Sequence, residues 1–165
     1  MTAQPFLIDE RVRWSDVDAA GIIFYGSYVR FFELAETELF RAAGLTYGSM
    51  FDEYDMLLPR AQVHADFHYP ARLDDVLQVA AYISRVGNKS ITMQFDVMLL
   101  GANRLVADGH LVLVSTDRTR LASRVLPKTF VRRLEPFTLS VDEARRQLGW
   151  ATAGAGTGEG EGPAR

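Results

Sequence analysis

Apolar and polar positions alternate along this chain with two different periods, and the change of period divides it. Residues 6 to 14 alternate in twos: Ile8, Glu10, Val12 and Trp14 fall on one side, Arg11 and Arg13 on the other. That is a strand pattern, imperfect at Glu10. From Ser27 to Ala43 the period becomes helical. Tyr28, Phe31, Phe32, Ala35, Leu39, Phe40, Ala42 and Ala43 recur on one face, with Arg30, Glu33, Thr37 and Arg41 on the other. Gly44 is the expected stop, because a helix end favours a residue that tolerates positive φ. Residues 45 to 57 have no clean period and predict an irregular connection, with one helical turn around Ser49 to Tyr54.

After Pro59 the period of two returns. Ala61, Val63, Ala65, Phe67, Tyr69 and Ala71 alternate with Gln62, His64, Asp66, His68 and Arg72, which predicts a strand with one buried face. Pro70 fits an edge or a bulge there. Leu73-Asp74-Asp75 turns the chain into a second strand, Val76 to Val86, and Gly87-Asn88 makes a hairpin with a third, Ser90 to Leu100. Gly101-Ala102-Asn103 leads to a fourth, Leu105 to Ser115. Tight turns between consecutive strands predict an antiparallel meander. The segment K-T-F-V-R-R-L after Pro127 reads as a helical turn, and Ser140 with Glu143 forms a capping box for a short helix closed by Gly149. Residues 151 to 165 are glycine-rich and of low complexity, so they are expected to be disordered.

One long amphipathic helix and five antiparallel strands predict an α+β domain with the helix lying across the sheet. The domain is expected over residues 1–135, a helical extension over 136–150 and a flexible tail over 151–165. A sheet covered on one face leaves its edges open, which predicts a homo-oligomer formed by edge or sheet pairing. The composition changes little in this picture. The chain has 165 residues, 48% of them hydrophobic and 24% charged, as in an ordinary soluble domain. A net charge of −3 gives no reason to expect nucleic acid. No apolar run is long enough for a membrane helix, and the N-terminus lacks the pattern of a secretory signal. With 0 cysteines there is no disulfide or thiolate chemistry. A cytoplasmic location is the default expectation.

Candidate chemistry concentrates between Trp14 and Tyr28. Two acids, Asp16 and Asp18, precede Gly21 and an apolar run, Ile22-Ile23-Phe24-Tyr25, that feeds the helix. A helix N-terminus presents unpaired N–H groups and the positive end of a dipole. A carboxylate just ahead of it can therefore act beside donors aimed at a developing negative charge. The three histidines are weaker candidates. His64, Asp66 and His68 share a strand face, more simply a wet or interfacial surface than a metal site, and His110 stands alone. There is no G-x-S-x-G elbow, no G-x-G-x-x-G after a strand and no Walker loop.

The stretch W-S-D-V-D-A-A-G-I-I-F-Y-G-S-Y, the helix after it, and F-H-Y-P-A-R-L-D-D-V-L-Q-V together resemble the 4-hydroxybenzoyl-CoA thioesterase family, from about residue 8 to about residue 133. The family pattern joins x-D-x-D-x-x-G-x-x-x-x-x-x-Y to Y-x-x-P-A-x-x-D-D-x-L, and both halves occur here in order, with Phe67 at the tyrosine that opens the second. The resemblance implies a hotdog fold: a long helix wrapped by a five-stranded antiparallel sheet, paired into dimers and often tetramers, with active sites at subunit interfaces. It implies hydrolysis of an acyl-coenzyme A thioester with no metal and no cofactor.

By the same resemblance Asp18 is the nucleophile or general base. The backbone N–H of Tyr25, with Gly26 beside it, polarises the thioester carbonyl. A thioester needs such an attacking oxygen on one side and such donors on the other. Asp16 shapes the loop by bonding turn N–H groups, and Gly21 permits positive φ or close backbone approach. Phe24, Tyr25 and Tyr28 either line an aromatic acyl pocket or belong to the core. Lys89 matches a basic position that contacts coenzyme A phosphates, while Gly87 and Asn88 replace basic neighbours; Arg85, Arg120 and Arg124 are further candidates. No histidine stands beside Tyr25, which resembles the aryl-CoA branch of the family. Two other readings stay open: a thioesterase acting on acyl carrier protein, and a hotdog protein that binds acyl-CoA without turnover.

Overall fold

The computed structural model describes residues 2–150. Five strands form one antiparallel sheet: β1 (Phe6–Arg11), β3 (Arg60–Phe67), β4 (Val76–Val86), β5 (Ser90–Leu99) and β6 (Arg104–Val114), in the order β1-β4-β5-β6-β3. A two-residue pair, β2 (Met56–Leu57) with β7 (Thr116–Asp117), stands apart. The helices are α1 (Tyr28–Ala42), α2 (Tyr47–Tyr54), α3 (Lys128–Leu134) and α4 (Val141–Gln147). The residues of the expected tail, 151–165, lie outside those described.

α1 lies across one sheet face and runs antiparallel to β3. Its Tyr28 ring meets Phe67 at 5.0 Å, and Phe32 stacks on Phe95 at 4.6 Å between centroids. Further along, Glu36 pairs with Arg60. Val79, Ala81, Ile83, Ile91, Met93, Phe95, Val97, Ala107 and Leu111 complete the core on this face. Gly109 of β6 lies where helix and edge strand crowd together. A Cβ there would stand 2.2 Å from the carbonyl oxygen of His64 and 3.0 Å from Phe32 Cζ.

Five expectations need correction. The strands are not a simple meander: β3 pairs with β6, while β4 lies between β1 and β5. The turn at residues 73–75 therefore returns the chain to the far side of the sheet, with Asp74 at φ 70° and the Asp75 side chain accepting from the Arg72 N–H. β3 has no well-buried face, because it is the edge: Val63 and Phe67 are each 51% exposed and only Ala65 is half-buried. β1 stops at Arg11, and Trp14 begins a 3-10 turn with its indole 79% exposed. On α1, Ala42 is exposed, whereas Glu36 is fully buried beside Arg60 and the Tyr47 hydroxyl. The irregular connection is more helical than its period indicated. α2 makes two turns because Thr46 caps it, accepting from the Ser49 N–H at 3.2 Å.

Gly109→Ala is expected to lower stability by about 1–3 kcal/mol, since the new methyl collides with backbone that cannot rotate away. A denaturant titration showing an unchanged midpoint would refute this close approach.

Candidate active site

The acidic loop is a tight hairpin. The Asp18 N–H donates to Ile22 O (3.0 Å), the Phe24 N–H to Asp16 O (2.8 Å), and the Gly21 N–H closes the turn on Asp18 O (2.9 Å). Gly21 sits at φ 75°, where an L side chain would be strained. The Ile23 N–H reaches Ala71 O at 3.0 Å, so the second motif, Tyr69-Pro70-Ala71-Arg72, is the ledge on which the first one rests.

Asp16 is the anchor. It is 2% exposed and accepts from Arg30 Nε at 2.7 Å, from a second Arg30 nitrogen, and from the Arg13 N–H at 2.8 Å. Burial pushes its carboxyl up, but the Arg30 hydrogen bond, the Arg13 N–H and both positive charges outweigh that and hold it below the usual carboxylate range. Arg30 also binds Glu10 at 2.9 Å, which accounts for the polar residue that interrupts the strand pattern.

Asp18 is different. It is exposed, with Oδ1 taken by the Ala20 N–H at 2.8 Å. Oδ2 has no hydrogen-bond partner among the described residues. It borders an apolar cavity of about 370 Å³ with Ile22, Ile23, Tyr25, Tyr28, Phe67 and the segment His68–Pro70. Tyr25 and Gly26 begin a 3-10 turn that runs into α1, and their N–H groups have no carbonyl partner among the described residues, as expected of a helix start. Asp18 and Tyr25 thus border one cavity with an apolar wall, while Gly26, the next residue, is not part of its lining. Tyr28 is buried in that wall, and desolvation pushes its hydroxyl up to about 12, so it stays protonated.

The other named residues stand elsewhere. Phe24 does not line the cavity. It is 43% exposed, folds back over Gly26 and packs on Tyr25 at 4.3 Å. Lys89 sits on the β4–β5 hairpin, where Nζ reaches Ser123 Oγ at 3.4 Å, and Arg124 binds the carbonyls of Tyr54 and Asp55 at the end of α2. Both lie at the far end of the sheet from Asp18, about 33 Å along a strand the length of β4. Within one chain they do not meet the cavity. His64 and His68 do not converge on one point: His64 pairs with Asp66 at 3.0 Å and stacks on His110, while His68 pairs with Asp108 at 2.7 Å. Sequence reasoning missed Arg30 as the partner of Asp16, and Phe67 and His68 as cavity wall. The partnership spans fourteen residues and leaves no local pattern.

The sequence matches the profile of the thioesterase-like superfamily over residues 12–138. The chain belongs to that superfamily. It is a thioester hydrolase. It is 30% identical over 122 residues to the acyl-CoA thioester hydrolase YbgC of Escherichia coli, spanning 73% of this chain and 89% of that one. It is 31% identical over 145 residues to a 1,4-dihydroxy-2-naphthoyl-CoA hydrolase of Synechococcus, spanning 84% and 96%. Among solved structures, a variant of 4-hydroxybenzoyl-CoA thioesterase complexed with 4-hydroxybenzoyl-CoA superposes with TM-score 0.74 at 23% identity, over 80% of this chain and 99% of that one. The fold is the hotdog.

Arg30→Met removes the charge that compensates Asp16, and breaking a buried pair in this way is expected to cost about 3 kcal/mol at pH 7. In the wild type the depressed Asp16 carboxyl contributes stability above the unfolded value of about 3.9 and loses it as pH falls through the lower folded value. In the variant Asp16 titrates upward, so protonation relieves it. The melting-temperature gap between the two proteins should therefore narrow from pH 7 to about pH 4. A gap that widens over that range would show that Arg30 does not stabilise the ionised carboxylate.

Proposed function

We propose that this thioesterase hydrolyses an acyl-coenzyme A, with an aromatic or medium-sized acyl group, and that Asp18 carries the reaction. The observation behind this reading is that Asp18, with Oδ2 free of hydrogen bonds among the described residues, and Tyr25, at the start of the turn that leads into α1, border the same apolar cavity. The thioester carbonyl lies with its oxygen toward the Tyr25 N–H. Asp18 attacks the carbonyl carbon, or takes a proton from a water that does. The C–S bond breaks, the thiolate leaves and takes up a proton, and water supplies the oxygen of the product acid. The N–H donors and the start of α1 stabilise the oxyanion in between.

An acyl-CoA substrate is supported by the names of the relatives. An aromatic group is supported by the Tyr25, Tyr28 and Phe67 rings around a cavity within the usual small-molecule range of about 300–1,000 Å³.

The same reading includes a homodimer. β3 is an open edge with apolar side chains exposed along it. Antiparallel pairing of two β3 edges across a two-fold axis sets the Arg60 end of one strand beside the Phe67 end of the other. The end of the sheet bearing Lys89 then comes toward the cavity of the neighbouring subunit. Lys89 of the partner subunit becomes a candidate contact for coenzyme A phosphates there.

Asp18→Asn is expected to lower turnover of acyl-CoA by at least about a hundredfold with the fold retained, in line with general-base effects. The assay is thiol release across benzoyl, hydroxybenzoyl, phenylacetyl, dihydroxynaphthoyl and straight-chain CoA esters, with the best acyl group repeated on acyl carrier protein. Turnover like the wild type in that variant would sink the role of Asp18. Val63→Arg sets like charges on the paired edges, so light scattering should find a smaller assembly and the assay a loss of activity. A wild type that is already monomeric would refute the dimer.

A further inference from the structure

The sheet face turned away from α1 carries a polar network that the proposed chemistry does not use. By strand parity Tyr82, Asp96, Asp108 and His110 point to this face together with His64, Asp66 and His68. Asp96 is fully buried and accepts from the Tyr82 hydroxyl at 2.7 Å and from Arg145 Nε at 3.0 Å. Arg145 comes from α4, and its Nη2 also reaches Asp108 Oδ2 at 2.7 Å. The other oxygen of Asp108 lies 2.7 Å from His68 Nε2. Burial pushes the Asp108 carboxyl up, but hydrogen bonds from His68 and Arg145 and both their charges pull it below its usual range. The carboxylate is therefore ionised at neutral pH and can accept from both neighbours. Elsewhere on this face His64 pairs with Asp66 and stacks on His110, and Asp66 stands opposite Asp108 in the strand register.

This chain of contacts ends where the edge strand leaves the sheet. The His68 and Tyr69 N–H groups both donate to the single carbonyl of Val106, at 2.8 and 3.1 Å. Two donors on one acceptor hold a strand end less firmly than a regular ladder does. The residues at that end, Phe67 to Pro70, are the cavity wall that faces Asp18. The side-chain bond from His68 to Asp108 is the additional tether, and through Arg145 it runs to the C-terminal helix.

We propose that Asp108 and Arg145 are positioning residues for the active site, fixing the Phe67–Pro70 wall through His68. The inference rests on the thioesterase reading above, because it assigns the wall to the substrate cavity. Neither residue touches the reacting atoms, so both act on how substrate is held. A misplaced wall weakens binding and alignment even when Asp18 and the N–H donors are intact.

The test separates the link from the anchor. Asp108→Asn cuts the charged link to His68 yet leaves Arg145 on Asp96, so α4 stays docked. His68→Val removes the tether from the other side, and His68→Gln retains a donor for Asp108. Hydrogen exchange of the His68 and Tyr69 amides should rise about tenfold in Asp108→Asn and His68→Val, with β5 amides unchanged, and should be largely restored in His68→Gln. KM for the best acyl-CoA should rise about tenfold in the first two variants, with kcat within about threefold, a coupling of ordinary size. Folded variants whose exchange and KM both stay within about twofold of wild type would overturn the proposal. So would a hundredfold loss in kcat at unchanged KM, which would make His68 a reacting group. The exchange measurement decides the tether even if no thioester is turned over, and that failure would fall on the enzymatic reading instead.

Discussion

The pair of Arg30 and Asp16 is the constraint on which the site depends. A catalytic carboxylate that must stay free cannot also fasten its own loop. In the proposed mechanism the two tasks fall to two acids two residues apart. Asp16 is buried and bound on both oxygens, and Asp18 keeps Oδ2 open. Because Arg30 stands one turn into α1 and also holds Glu10 at the end of β1, a single guanidinium ties strand, loop and helix start together. The donors at Tyr25 and Gly26 lie between these fixed points, so their place relative to Asp18 follows from the ion pair.

A second constraint comes from where this assembly sits. The start of α1 lies over the Phe67 end of β3, which is the open edge of the sheet. Phe67 at the end of the edge strand and the three residues after it therefore form part of the cavity wall, next to the side on which another strand could pair. The basic residues expected to meet coenzyme A lie at the opposite end of the same chain. In the proposed dimer a two-fold axis at β3 would relate those ends between subunits, so that dimerisation and substrate binding would follow from one geometry.

Much of the fold was legible in the sequence because it rests on period and turn chemistry. The apolar stripe from Tyr28 to Phe40, the hairpin at Gly87-Asn88 and the cap at Ser140 need only neighbours within a few residues. What was not legible depends on distant partners. Periodicity shows that β3 has an apolar side but not that the strand lies at an edge, and so it could not show that Val63 and Phe67 stay exposed in one chain. Glu36 sits on the buried stripe because Arg60, twenty-four residues away, brings its own charge to meet it. At the site, the acidic loop and its glycine were visible as a motif, whereas the Arg30 anchor and the His68 wall arise only when strand and helix cross.

Charge adds to the apolar contacts in setting the register of the helix. Aromatic packing such as Phe32 on Phe95 favours close approach, but burial is non-directional and tolerates sliding. A slip of one turn would move the helix start by about 5.4 Å, far more than a carbonyl held between Asp18 and the Tyr25 N–H could accept. Two ion pairs oppose such a slip: Arg30 with Asp16 near the start, and Glu36 with Arg60 further along. They have opposite polarity along α1, cation on the helix at one and anion at the other, so sliding cannot exchange one pair for the other. Glu36 carries the cost. Burial pushes its carboxyl up, Arg60 only partly offsets this, and Oε2 is left without a partner among the described residues. A buried ion pair is a weak source of stability, and in some proteins it serves to select one arrangement. In this fold that selection acts where a fraction of a turn decides whether the carboxylate and the oxyanion donors face the same carbonyl.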